Sequence, residues 1–400
     1  MQRRSKMTIE ARDTPAMLQP TADQLMLARV ESRFKTAHAN HLGYPYNLAG
    51  AATVPARFAG YLVNNLGDPY VGSHYASEVC DLEREVVGWL MDLWGCESHN
   101  GYWGSVGASG TEGNFWALYL AREALPDAIL VYPREAHYSI PKSARILRMT
   151  TQPVACEPSG EVSLQDLRRV LSKLRSAFVI VVLTSGTTVK GAHDDIGGAL
   201  EALDDCGFPQ QRRFVHIDGA LNGMVLPFLD GVPERLQPNF RHAISSISTS
   251  GHKMIGTTMP CGVLVTRRHY VERVASAVAY LRSNDTTLMG SRNGHAVLAL
   301  WARLLGHGRE GFRRDAARCV ELARGLAETL SRAGVPVLLN PHSLTVLFPE
   351  PSEPIVRHYQ LATTGDEAHA IIMPNVTEAL IARFASDYLG WWNGRQSGER

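Results

Sequence analysis

Short apolar runs alternate along this chain with segments of helical periodicity, and that alternation limits the folds open to it. The runs are "AILVYP" (128–133), "AFVIVVLTSGTT" (177–188), "RRFVHIDGAL" (212–221), "HAISSISTSGHK" (242–253) and "CGVLVTRR" (261–268). Helical patterns fill intervals from about Thr111 to Leu125, over 164–176 and near 195–206. Such βαβ spacing predicts an α/β fold with a mostly parallel sheet flanked by helices. Ligands of such sheets bind at the carboxyl ends of the strands. Residues 21–40 and 76–95 read as further helices. From about residue 290 the pattern changes. Long helices ("HAVLALWARLL", "REGFRRDAARCVELARGLAETL") precede short strands ("VPVLL", "LTVLFP", "HAIIMP") and a final helix over 377–391, which reads as a smaller α+β domain. The expected division is an N-terminal helix and arm (1–60), a large domain (61–285) and a small C-terminal domain (286–400).

With 400 residues the chain is long enough for a large core and two domains. A net charge of +1 exerts no general pull on nucleic acid or anionic membrane, so neither is expected as a partner. No apolar run approaches the ~20 residues of a membrane span. The start, "MQRRSKMTIEARDT", has no apolar stretch behind its basic residues and does not read as a secretory signal. The six cysteines are scattered without a C-x-x-C, which fits reduced thiols in a cytoplasmic protein.

Lysine is scarce. Of 40 basic residues six are lysine (Lys6, Lys35, Lys142, Lys173, Lys190 and Lys253), leaving 40 − 6 = 34 arginines. Arginine cannot form a Schiff base, whereas a lysine amine can lose its proton and attack a carbonyl. Four of the lysines lie in polar or helical settings typical of solvated charge. Lys190 and Lys253 lie in Gly/Thr-rich turns, Lys253 within "STSGHKMIGTTMPCG" (248–262).

Other residues near predicted strand ends are ambiguous singly. "GASGTEGN" (107–114) opens directly into a helix, as an anion cradle or as a plain cap. It is neither a Walker A loop nor a G-x-G-x-x-G. Asp218 ends an apolar strand, and a buried carboxylate needs a partner, either a cap or arginine, or a pyridinium nitrogen. His137 in "REAHYSI" is a loop polar group or a ring-stacking group. Taken together, the anion-cradling turn, His137, Asp218 and Lys253 are the parts that pyridoxal phosphate requires. They would be its phosphate site, stacking group, pyridine-nitrogen partner and Schiff-base lysine. A metal enzyme is the competing reading, from His38 and His41 and from His193-Asp194-Asp195, but carboxylates do not gather at ligand spacing. Asp194 and Asp195 are expected to cap a helix, and no metal is expected. A catalytically dead binding protein on the same fold would often have lost the lysine.

The sequence resembles the group II pyridoxal-phosphate-dependent amino acid decarboxylases, in the branch of histidine and serine decarboxylases. The resemblance is carried in order by "NHLGYPYN", "NNLGDPY", "ASGTEGNFWALYLARE", "AHYSIPKSARIL", "SGTTVKGAHDDI", "HIDGALNGMVLPF", "SISTSGHKMIGTTMPCG", "NDTTLMGSRNGHA" and "GDEAHAIIMPNVT", from about residue 40 to 380. It implies the aspartate-aminotransferase-type fold (fold type I), pyridoxal 5'-phosphate as cofactor, and a homodimer with shared active sites. It implies Lys253 as Schiff-base lysine, Asp218 on the pyridine nitrogen, His137 stacked on the ring, Ala220 on the other face and Thr187 nearby. Gly110, Thr111, Ser250 and His252 would hold the phosphate. The stretch Gly290, Ser291 and Arg292 would reach the partner subunit's cofactor. Tyr44, Tyr46 and Asn47 would line the substrate pocket. The implied reaction is α-decarboxylation through an external aldimine and a quinonoid.

The chain departs from that pattern on the substrate side. Asp218-Gly219-Ala220 replaces D-A-A, "VGASG" replaces a more polar turn, and "LAGAATVPARFAG" stands where relatives carry acidic and aromatic residues. Smaller residues predict a roomier pocket, for a bulkier amino acid or an amino acid conjugate, as in specialised-metabolite biosynthesis. Decarboxylation coupled to oxidative deamination, giving an aldehyde, and β-elimination from a cysteine conjugate are the alternative outcomes.

Overall fold

A computed structural model of the protein describes residues 22–50, 53–71, 73–281 and 283–396. Lys6 and the basic stretch 1–14 lie outside the described residues, as do Ala51 and Ala52 of "LAGAATVPARFAG". The chain divides into two compact units, Met1–His41 and Leu42–Arg400. The first contains the helix Ala22–Ala39.

The second unit is built on a seven-stranded sheet. Its spatial order is Tyr102–Gly107, Gly262–Arg267, Ser246–Ser250, Arg213–Asp218, Val179–Thr184, Ile129–Pro133 and Thr151–Val154. All neighbours pair in parallel except those of Gly262–Arg267, which is antiparallel to both of its partners. That exception has a local cause. A parallel crossover needs about a dozen residues or more, usually including a helix. Only the short connection Gly251–Cys261 joins Ser250 to Gly262, so the chain folds straight back, and Lys253 sits in that turn.

Every residue of Val179–Thr184 and Arg213–Asp218 is buried, as parallel strands covered on both faces require. The cover includes helices Cys80–Leu93, Gly110–Ala124, Leu164–Lys173 and Ile196–Asp205. Ser109, Ser163 and Asp195 cap the last three by accepting hydrogen bonds from the amides of Glu112, Asp166 and Gly198. Asp194 does not cap the helix as expected. It accepts from the amides of Val162 (2.6 Å) and Thr184 (2.7 Å) and ties down a strand end.

The C-terminal part has an antiparallel sheet ordered Thr345–Pro349, Glu367–Ile371 and Ala362–Thr364. The two long helices expected after residue 290 form one run, Gly294–Arg332, broken at Gly308 (φ 65°, ψ 173°). "VPVLL" contributes no strand to that sheet, only a bridge from Leu338 to Leu347. A ribbon of Asn64–Leu66 and Ser291–Asn293 ties residues on either side of the expected 285/286 boundary.

"YWGSVG", absent from the apolar runs expected as strands, is the strand Tyr102–Gly107. Its glycine misleads because glycine weakens isolated strands. A Cβ at Gly104 would lie 2.6 Å from Val87 Cγ1 and 2.8 Å from the Leu264 carbonyl oxygen, so glycine admits helix Cys80–Leu93 at close range.

Candidate active site

Four strands end at one level of the sheet. Thr184 pairs with Asp218 and Asp218 with Ser248, and Ser250 and Pro133 close the neighbouring strands. Beyond these ends lies a cavity of about 360 Å³. Of the residues singled out in the sequence, Tyr44, Tyr46, Gly110, Thr111, His137, Asp218, Ala220, Ser250, His252 and Lys253 line it. Asn114, Tyr138, Thr184, Gly186 and Thr188 also line it and were not foreseen.

Three expected site residues do not line it. Thr187 does not line the cavity, and its hydroxyl accepts from the Ala192 amide (3.0 Å) to close a turn. Asn47 is buried behind the lysine turn, donating to the Met254 carbonyl (3.0 Å) and accepting from the Ala49 amide (3.0 Å). Ser291 stands in the ribbon and accepts from Asn64 Nδ2 (3.2 Å), outside this cavity. Beside it, Arg292 is buried and ion-paired with fully buried Glu83. Both Gly/Thr-turn lysines can now be told apart. Lys190 pairs with Glu135 (3.2 Å), whereas Lys253 opens onto the cavity.

Lys253 interrupts the wide helical turn Gly251–Ile255 with φ −86° and ψ −120°. Burial pushes its amine below the usual lysine value, and the Asp218 carboxylate opposes that shift. The turn therefore presents an amine biased towards its neutral, nucleophilic form.

The helix Gly110–Ala124 aims its amino end at the cavity. Ser109 Oγ accepts from the Glu112 amide, and Glu112 Oε2 accepts from the amide of Ala108, the residue before the cap (2.6 Å). The helix lies close to strand Ser246–Ser250 because residue 110 has no side chain: a Cβ there would meet Ser250 Oγ at 2.4 Å. Amides at a helix start favour an anion.

Asn114 is the centre of a buried polar network that sequence reading missed. Its Nδ2 donates to Asp218 Oδ2 (2.7 Å) and Ser139 Oγ (3.0 Å). Its Oδ1 accepts from Ser248 Oγ (2.8 Å) and His216 Nε2 (3.0 Å). Two donors and two lone pairs are all that an amide offers, so Asn114 is saturated. Asp218 must face the amide nitrogen, which sets the amide's orientation. His216 then carries its proton on Nε2, and its Nδ1 accepts from Ser246 Oγ (2.8 Å). Burial takes the His216 pKa down to about 4. Ser139, having accepted from Asn114, donates to His137 Nδ1 (2.8 Å), which also accepts from the Ser139 amide (3.3 Å). His137 is thus protonated on Nε2. Burial lowers its pKa, against Asp218 and with Lys253.

Asp218 Oδ1 accepts from the Ala220 amide (3.1 Å). With Asn114 that makes two neutral donors on a group with about four acceptor sites. The site can thus take a cation beside Asp218, an anion at the helix start and a carbonyl at Lys253. Pyridoxal phosphate presents this combination of groups, and the residues present fit it. At the mouth, Tyr44 and Tyr46 stack with centroids 5.8 Å apart. Burial raises the Tyr46 pKa, with smaller contributions from Tyr44 and Tyr138.

Comparison with known proteins gives consistent matches. The family model described as the pyridoxal-dependent decarboxylase conserved domain matches residues 30–348. Serine decarboxylase 1 of Oryza sativa subsp. japonica is 41% identical over 357 residues, 89% of this chain and 73% of that protein. Histidine decarboxylase of Morganella morganii is 38% identical over 332 residues, 83% and 86% of the two chains. The solved L-methionine decarboxylase of Streptomyces sp. 590, described in an internal aldimine form, superposes with a TM-score of 0.84 at 25% identity, covering 93% of this chain and 96% of that one.

Proposed function

This chain belongs to the pyridoxal-dependent decarboxylase family and takes pyridoxal phosphate as its cofactor, and from that premise we propose that it removes the α-carboxylate of an amino acid or amino acid conjugate. The observation that carries this reading is the pairing, within one cavity, of Lys253 biased towards its neutral amine with a buried Asp218 held only by neutral donors.

Lys253 would hold the cofactor covalently through Nζ. Asp218 would keep a proton on the ring nitrogen. His137 and Ala220 would flank the ring, and Gly110, Thr111, Ser250 and His252 would hold the phosphate at the helix start. When bound, the cofactor supplies an electron sink for the pair left on Cα as carbon dioxide departs. The Asn114 network holds Asp218 in place through hydrogen bonds to neutral groups. Ser291, exposed in its ribbon, would contact the partner subunit's site in a homodimer.

Tyr44, Tyr46 and Tyr138 at the mouth support a substrate with a neutral side chain. No arginine or glutamate lines the cavity among the described residues, so a charged side chain would find little to match it there. Among the described residues no helix is long and apolar enough to cross a membrane.

The test is the visible spectrum of the purified protein, then incubation with amino acids and conjugates, with products identified by mass spectrometry with and without oxygen. An absorption band that disappears in Lys253→Ala, with release of carbon dioxide and an amine, is expected. No band after addition of pyridoxal phosphate would sink the reading of Lys253. An oxygen-dependent aldehyde, or a released thiol with the carboxylate retained, would replace simple decarboxylation.

A further inference from the structure

The far end of the same sheet holds a second cavity, of about 570 Å³, lined at the amino ends of the central strands. Arg213 begins the strand that ends at Asp218, so the two cavities lie roughly 17 Å apart at ~3.3 Å per residue. Arg213, Arg267, Arg273 and His269 line it, and no aspartate or glutamate does. We propose that this cavity binds a small anion, a carboxylate or phosphate group carried on a planar aromatic body.

Arg213 is 5% exposed. Its Nη1 donates to Asp204 Oδ1 (2.5 Å) and the Phe208 carbonyl (3.0 Å), while its buried Nε has no partner. Arg213 therefore adds positive charge to the cavity wall from a largely buried guanidinium that is already paired with Asp204. Arg267 is fixed by donation from Nε to the Ile244 carbonyl (2.8 Å) and by stacking over Tyr102, which orders the cation without neutralising it. Arg273 is exposed and makes no hydrogen bond or ion pair among the described residues. Burial lowers the His269 pKa, followed by the effects of Arg267 and Arg273, so these cations converge at the cavity. Phe178, 42% exposed, and Tyr270 supply aromatic surface. The volume lies in the range of small-molecule sites. Asp204 pairs with Arg213 and Glu272 acts on His269, and neither carboxylate lines the cavity.

Calorimetric titration of the holoenzyme with phenyl phosphate, benzoate and inorganic phosphate tests the site. Phenyl phosphate or benzoate is expected to bind with a Kd of about 1 mM or tighter, and inorganic phosphate roughly tenfold more weakly, lacking the ring. The better of the two aromatic probes identifies phosphate or carboxylate as the preferred group. Arg273→Glu should weaken binding by roughly tenfold or more, and Phe178→Ala should erase the advantage of the ring. Both positions are exposed, so thermal unfolding should confirm that the variants fold. Equal affinity in wild type and both variants, or no heat up to about 10 mM probe, overturns the proposal.

Discussion

Glu83 and Asp218 are both buried carboxylates on helix and strand elements of one sheet layer, and they are partnered in opposite ways. Glu83 is fully buried and accepts from Asn65 Nδ2 (2.7 Å), Ser105 Oγ (2.8 Å), the Val106 amide (2.8 Å) and Arg292 Nη1. Arg292 in turn donates to the Gly67 carbonyl (3.1 Å). That carboxylate has a cation and a full set of donors within the chain. Asp218 has two neutral donors, no paired cation among the described residues, and a cavity in front of it. Burying an ion without a counter-ion is costly. A chain that saturates one carboxylate and leaves the other open has a structural group and a group awaiting a ligand.

The sharpest way to break that contrast is Asp218→Asn. It keeps the shape and removes the charge, so kcat should fall on the order of 10³-fold while thermal stability without cofactor stays near wild type. A loss of folding with little loss of turnover would make Asp218 the structural member of the pair. Arg292→Met should do the reverse. Leaving buried Glu83 charged without its cation should cost roughly 3–5 kcal/mol in denaturant unfolding, and the double variant Glu83→Gln/Arg292→Met should recover part of it.

Asn114→Ala lies between these cases. It strips partners from Asp218, Ser139, Ser248 and His216 together, so unfolding should cost about 1–3 kcal/mol, with kcat falling as well. The smallest effect is that of pH. His216 and His193 are held neutral by burial, each with a pKa lowered to about 4 from an ordinary 6.5. Between those values these two histidines bind more protons in the unfolded chain, so their contribution to stability should fall as pH drops from 6.5 towards 4, opposed by Asp194, whose pKa burial raises to about 7. Urea midpoints across that window should show the slope, and His216→Gln should flatten it. An unchanged slope would assign it to other groups.

Much of this arrangement was legible in the residues. Lys253 and Asp218 stood out because a scarce lysine and a lone carboxylate each followed an apolar strand. Asn114 was in plain sight within "GTEGN", yet its role was hidden, because its partners lie 25, 102, 104 and 134 residues away. Its only sequence signal was a polar residue amid the buried positions of a helix. Thr187 and Asn47, expected near the cofactor and the substrate, bond to backbone instead of lining the cavity. Each sits beside a true lining residue, and one step along a turn redirects a side chain into the backbone.

By itself, the sequence determined the alternation that makes the sheet, the turn that carries Lys253 and the helix start at Gly110, because periodicity, glycine and capping act over a few residues. Tertiary structure alone decided that Glu83 meets Arg292 while Asp218 does not, and that Asn114 spends all four of its hydrogen bonds on one site. Hydrogen bonds and burial depend on which distant strands lie side by side, and local pattern does not encode that pairing.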